Sequence, residues 1–177
     1  MKRTVNRSTI AVNKALGLLE QFSQEPPVDV ELVARALGVE IRYQSLDEGT
    51  SGFMLRPFQG KPIIGVNSDH HPNRQKFTIA HEIGHFVLHG DAPTVLVDEG
   101  IVHFRDDKSS TATDPREREA NAFAAELLMP ETAVRQELNG RTIDAFDENA
   151  VRGLAVRFGV STQAITLRMK NLGLVAD

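Results

Sequence analysis

Apolar residues recur at three- and four-residue intervals in several segments of the chain, a pattern typical of helices with one buried face. The first segment, residues 8–23, ends before Pro26 and Pro27, which break a helix. A shorter segment runs from Asp29, a favourable N-cap, to Gly38. We therefore expect two helices in the N-terminal part of the chain.

Two longer helices are predicted downstream. Residues 73–89 contain no proline and combine a buried side with a stripe of polar residues. Residues 114–130 begin with Asp114 as N-cap and Pro115 at the first helical position, and Pro130 ends the run. The apolar stripe of this last helix consists of Ala120, Phe123, Ala124, Leu127 and Leu128.

Short segments with the pattern of β-strands lie between the predicted helices and predict a small sheet. Three strands are expected, at residues 39–46, 52–56 and 62–67. Residues 91–114 are expected to be irregular apart from a short strand at residues 101–105. Together these elements predict an α+β fold in which the small sheet packs beside the two longer helices.

The C-terminal segment, residues 150–174, has the pattern of a helix, a turn and a second helix. Gly159 and Val160 form the predicted turn, and Ser161 is a natural N-cap for the second helix. From position 151 onward the chain carries four basic residues and one acidic residue, a net charge of +3: Arg152, Arg157, Arg168 and Lys170 against Asp177.

This helix-turn-helix pattern has two interpretations. Thr162, Gln163 and Thr166 could face a major groove, which would make the segment a DNA reader. Alternatively, the segment is a helical hairpin that packs on the rest of the chain or grips a protein substrate. The modest charge favours the hairpin over DNA binding.

Composition limits the chemistry. A length of 177 residues fits one domain with small additions, which we divide into residues 1–25, 26–130 and 131–177. The absence of cysteine leaves histidine and carboxylate as metal ligands. We expect no signal peptide and no membrane partner, and a net charge of -4 does not indicate general nucleic-acid binding.

The most informative motif is His81-Glu82-Ile83-Gly84-His85. Its two histidines are four residues apart, so on a helix both imidazoles leave the same face and can bind one ion. Glu82 lies beside them, where it can act as general base on a water molecule. This spacing is typical of the zinc site of a metallopeptidase. His89, one turn beyond His85, is expected to be a helix-end residue.

A third protein ligand is expected, because catalytic zinc sites use three protein ligands and one open position. Glu117 lies four residues before Asn121, so Asn121 could hydrogen-bond near the same site. However, Glu117 is also at the position where a glutamate often completes a capping box with Asp114. In that case Glu119 would be the next candidate. Position 123, one turn beyond Glu119, offers no polar partner, so the helical spacing favours Glu117 as the third ligand.

The motif and the helix from Glu117 to Pro130 resemble, in this order, the ImmA/IrrE family of zinc metallopeptidases. The resemblance covers residues 27–130 well. It implies a zincin-like metallopeptidase domain, followed here by the C-terminal helical hairpin, in a cytoplasmic bacterial or phage-type protein. Carried over residue by residue, it implies His81, His85 and a glutamate of the 117–119 stretch as ligands to one Zn²⁺ ion, with Glu82 as catalytic base.

The same resemblance implies that the chain cleaves a helix-turn-helix transcriptional repressor and so relieves repression. The alternative is a non-proteolytic regulatory module that uses a zincin-like domain to bind a protein partner or DNA. The presence of Glu82 argues against this alternative, because a purely structural metal site needs no general base.

Overall fold

The computed structural model describes residues 7–57, 59–89, 94–99, 114–145 and 147–176. The helices within these ranges are α1 (Arg7–Gln21), α2 (Val30–Ala36), α3 (Pro72–Leu88), α4 (Pro115–Leu128), α5 (Glu131–Leu138), α6 (Glu148–Phe158) and α7 (Thr162–Asn171). The strands are β1 (Glu40–Gln44), β2 (Thr50–Arg56), β3 (Ile63–Asn67), β4 (Thr94–Glu99), β5 (Ile143–Asp144) and β6 (Val175–Ala176). The fold is α+β, as predicted, and no described helix is long and apolar enough to span a membrane.

The larger sheet has four strands in the order β1-β3-β2-β4. β1 runs parallel to β3, whereas β2 is antiparallel to both β3 and β4. The expectation that residues 94–99 are irregular was therefore wrong, because they form β4 and pair with β2 from Thr94 to Glu99. The strand predicted at residues 101–105 lies outside the described residues. A second, two-stranded sheet joins β5 and β6 in parallel.

The predicted helix boundaries agree with the structure to within a few residues, and local capping explains them. The side chain of Asp29 accepts a hydrogen bond from the Leu32 amide at the start of α2, and that of Asp114 accepts from the Arg116 amide at the start of α4. Pro72 is the first residue of α3, and His71 caps that helix by accepting at Nδ1 from the Asn73 amide. His71 therefore stabilises the start of α3.

α3 lies at the centre of the molecule, between the sheet and α4. Its residues Ile79, Ala80 and Ile83 are fully buried. The two helices are in close contact at Gly84, where an added Cβ atom would lie 3.1 Å from the Ala120 Cα atom. Because Gly84 has no side chain, the backbones of α3 and α4 lie close enough for residues on both helices to meet.

The predicted C-terminal hairpin is present as α6 and α7 and packs on α3 and α4. Arg168 of α7 forms an ion pair with buried Glu126 of α4 and also donates to the Met129 carbonyl. Lys76 of α3 donates to the Phe158 carbonyl at the end of α6, 3.4 Å away. The hairpin thus shares one hydrophobic core with the helices before it. The three-part domain division stays a prediction.

Candidate metal centre

The two motif histidines lie on the same buried face of α3, as their spacing predicts. His81 is 0% exposed and His85 is 4% exposed. Their Nε2 atoms are 2.9 Å apart and their rings meet edge to face, with centroids 4.6 Å apart. Both Nε2 atoms therefore point toward one position beside the helix.

Glu117 of α4 closes the third side of this position. One carboxylate oxygen lies 3.2 Å from His81 Nε2 and the other lies 3.1 Å from His85 Nε2. Glu117 is in the first turn of α4, and its carboxylate is directed at α3. The geometry therefore brings Glu117 to the histidines that the sequence had singled out.

These distances fit a metal ion with nitrogen and oxygen ligands. Zinc bonds of about 2.0–2.1 Å in a tetrahedral arrangement place neighbouring ligand atoms roughly 3.3 Å apart. Among the described residues, His81, His85 and Glu117 form the one group of three whose ligand atoms all lie within 4.8 Å of one another. With three protein donors, a fourth position would remain for water or substrate, as in a catalytic site.

The electrostatics of the group also favour metal binding. Burial lowers the pKa of His81 below its ordinary value, so its ring is neutral and offers a lone pair. Burial raises the pKa of the Glu117 carboxyl, but the close polar contacts with the His81 and His85 rings outweigh this effect and hold that pKa well below its ordinary value. A neutral imidazole and an ionised carboxylate are the forms in which histidine and glutamate bind metals.

Asn121 orients His81 from the side opposite the centre. Its Oδ1 atom lies 3.0 Å from His81 Nδ1, one helical turn beyond Glu117 on α4. Because a carbonyl oxygen accepts a hydrogen bond, the proton of a neutral His81 ring is on Nδ1, and Nε2 carries the lone pair. The structure thus brings Asn121 to the position that the helical spacing predicts.

The other candidate residues lie around this group. Glu82, the predicted general base, is 1% exposed and follows His81 directly on α3. Glu119, the alternative third ligand, lies beside His89, with 3.7 Å between its Oε2 atom and His89 Nδ1. The structure therefore groups Glu117, and not Glu119, with the two motif histidines.

One neighbour of the centre is not evident from the sequence. Arg56, at the end of β2, is buried and donates to the carbonyl of His85. Its guanidinium carbon lies 5.1 Å from the centre of the Phe86 ring. A cation at the carbonyl end of a helix is favourable, so Arg56 stabilises the last turn of α3. No sequence signal predicts this contact, because β2 and α3 are separate elements.

Comparison with known proteins gives a consistent set of similarities. The sequence model of the peptidase M78 family, described as the IrrE N-terminal-like domain, matches residues 34–170. The chain is 28% identical over 136 residues to a Bacillus phage phi105 protein named uncharacterized immunity region protein 2, covering 76% of this chain and 78% of that protein. It is 33% identical over 132 residues to the radiation response metalloprotease IrrE of Deinococcus radiodurans, covering 68% of this chain but 35% of that protein.

Proposed function

Because the chain belongs to the IrrE N-terminal-like peptidase family, we propose that it is a zinc-dependent endopeptidase. In this proposal His81, His85 and Glu117 hold one Zn²⁺ ion and Glu82 is the general base. Family membership supports a metallopeptidase-type regulator in general terms. The observation that carries the specific assignment is the convergence of two buried Nε2 atoms and one carboxylate on a single position.

The proposed reaction is hydrolysis of a peptide bond. A zinc ion held by these residues would polarise a water molecule and the scissile carbonyl. The Glu82 carboxylate accepts a proton from the attacking water and returns it to the leaving amine as the C–N bond breaks. The near-complete burial of Glu82 keeps bulk water away from this proton transfer. Asn121 maintains the His81 tautomer throughout.

The proposed substrate is a helix-turn-helix transcriptional repressor. Support comes from the relatives, since one is named for a phage immunity region and the other for a radiation response. Cleavage of a repressor would be a direct means of switching on such a response. Such a substrate would place the activity in the cytoplasm.

The experiment takes as its substrate a candidate helix-turn-helix repressor chosen from the genes adjacent to the one for this chain. We expect the zinc-loaded chain to convert that repressor into two fragments, detected by intact-mass spectrometry. Glu82→Gln is expected to keep its metal but to slow cleavage by about 10²–10⁴-fold, the usual contribution of a general base. Undiminished cleavage by Glu82→Gln would remove Glu82 from its role. An intact repressor after incubation with the metal-loaded wild type would rule out this substrate.

The C-terminal hairpin is better suited to packing than to DNA binding. Arg168 is engaged by Glu126, and Arg157 is engaged by Glu137 and the Pro26 carbonyl. Two of the four basic residues that gave the segment its positive charge therefore interact within the protein. We propose that α6 and α7 support α3 and α4 and do not bind DNA. In a gel-shift experiment, we therefore expect the chain not to retard a DNA fragment that contains its own promoter.

A further inference from the structure

His89 occupies a position between the two helices that carry the metal centre. It is the C-cap residue of α3, and its side chain is 9% exposed. Its Nε2 atom lies 3.2 Å from the carbonyl oxygen of Arg116, in the first turn of α4. Because a carbonyl can only accept, His89 Nε2–H is the donor. This side chain therefore joins the end of α3 to the start of α4.

The contacts between α3 and α4 follow each other in order along two antiparallel helices. His81 contacts Asn121, His81 and His85 contact Glu117, and His89 contacts Arg116. Glu117 thus lies between two fixed points: the His81–Asn121 hydrogen bond on one side and the His89–Arg116 hydrogen bond on the other. Arg116 directly precedes Glu117 in the chain, so a shift of the Arg116 backbone moves Glu117.

We propose that His89 is a positioning residue, which holds the first turn of α4 in place so that the Glu117 carboxylate faces His81 and His85. The inference rests on the proposed metal site. Residues 89–114 separate the two helices in the sequence, so the placement of α4 against α3 depends on direct contacts such as this one.

His89 does not act as a fourth ligand. Its Nε2 atom is engaged by the Arg116 carbonyl, and its Nδ1 atom lies 3.7 Å from Glu119, longer than a hydrogen bond. The group of converging ligand atoms found among the described residues includes His81, His85 and Glu117 without His89. The His89 ring is next to that of His85, with 5.4 Å between the ring centroids, but it does not share the position on which the ligand atoms converge.

The test compares two substitutions at this position. His89→Phe keeps a planar ring but removes the donor, whereas the amide of His89→Gln can still donate to the Arg116 carbonyl. We expect zinc affinity, measured by competition with a chelating indicator, to fall about tenfold in His89→Phe and to stay within about threefold of the wild type in His89→Gln. Melting temperatures of the metal-free proteins verify that both variants fold.

A double-mutant cycle separates positioning from a general structural effect. If His89 acts through Glu117, the loss caused by His89→Phe disappears in a Glu117→Gln background. An equal loss in both backgrounds, or a His89→Phe variant with wild-type affinity, would overturn the inference.

Hydrogen exchange of the metal-free protein tests the anchor independently of zinc. We expect His89→Phe to increase exchange in peptides covering the first turn of α4, and unchanged exchange would contradict the anchor. A wild-type chain that binds no metal would instead refute the proposed function, so the two failures are distinguishable.

Discussion

The candidate centre depends on single side chains whose orientations are fixed by their hydrogen bonds and ion pairs. His81 has one ring nitrogen hydrogen-bonded to Asn121 and the other directed at Glu117. This arrangement follows from helical geometry, since residues four apart share a face on both α3 and α4. For that reason the histidine pair, and the pairing of Glu117 with Asn121, could be predicted from the sequence.

Asn121 offers a direct test of this orientation. We expect Asn121→Leu to weaken zinc binding by about 10–100-fold, because the substitution removes the acceptor that fixes the His81 ring. Asn121→Asp keeps an acceptor at the same place and should retain most of the affinity. Chelator competition measures both variants. Equal affinity of the leucine variant and the wild type would show that Asn121 does not orient His81.

Other side chains near the centre could not be predicted, because their partners belong to elements far away in the sequence. Arg56 on β2 meets the end of α3, and His89 meets the first turn of α4. The sequence favoured a helix-end role for His89, which is correct for its place on α3. It gave no sign that the side chain also bonds to a second helix.

Packing between elements determines whether the ligands meet. The helices α3 and α4 are in close contact at Gly84, where an added Cβ atom would lie 3.1 Å from the Ala120 Cα and 3.2 Å from its carbonyl oxygen. Helix propensity alone favours alanine over glycine by about 1 kcal/mol. In Gly84→Ala the two backbones would have to separate to accommodate the methyl group. The cost of this separation opposes the stabilisation that the higher helix propensity of alanine would give.

A pair of glycine substitutions isolates this contact. Gly153 of α6 serves as the control, because a Cβ atom added there would have no neighbour within 4 Å. We expect Gly153→Ala to raise the free energy of unfolding, because alanine has the higher helix propensity. The free energy of unfolding of Gly84→Ala should be about 1–3 kcal/mol lower than that of Gly153→Ala, because the added methyl group overpacks the contact between α3 and α4. Urea denaturation measures both. Equal stabilisation by the two substitutions would show that α3 and α4 separate without cost.

The elements themselves were predicted unevenly, and the reasons are physical. α3 and α4 have strong apolar periodicity and clear caps, so their bounds were predicted closely. β4 was missed because it is a short run whose strand character depends on pairing with β2. α5 (eight residues) was also missed, and its N-cap residue, Pro130, makes no side-chain cap hydrogen bond.

The whole chain is expected to be less stable in acid when it is free of metal. Burial lowers the pKa of His70, His81 and His89 below the ordinary value of 6.5. As the pH falls below that value, these histidines bind protons in the unfolded chain, whereas in the folded chain they stay neutral. The unfolded state therefore gains protons first, and the free energy of unfolding decreases.

Chelator-treated protein tests this expectation. Its urea midpoint should decrease as the pH is lowered from about 7.5 to about 5.5. The decrease should continue at lower pH, because protonation of Glu117, whose pKa is lowered in the folded chain, also reduces the free energy of unfolding. A His81→Gln variant should show a shallower decline, since one of the three histidines no longer titrates. A midpoint that is constant or rises on acidification would contradict the assigned burial of these rings.

The central claim is that His81, His85 and Glu117 together hold a catalytic metal ion, and metal content tests it most directly. Protein purified without chelators would be analysed by inductively coupled plasma mass spectrometry, with Glu117→Ala and Glu119→Ala in parallel. The account predicts about one zinc ion per chain in the wild type and in Glu119→Ala, and none in Glu117→Ala. A wild-type chain that is metal-free and cannot be reloaded, or a loss of zinc in Glu119→Ala alone, would contradict it.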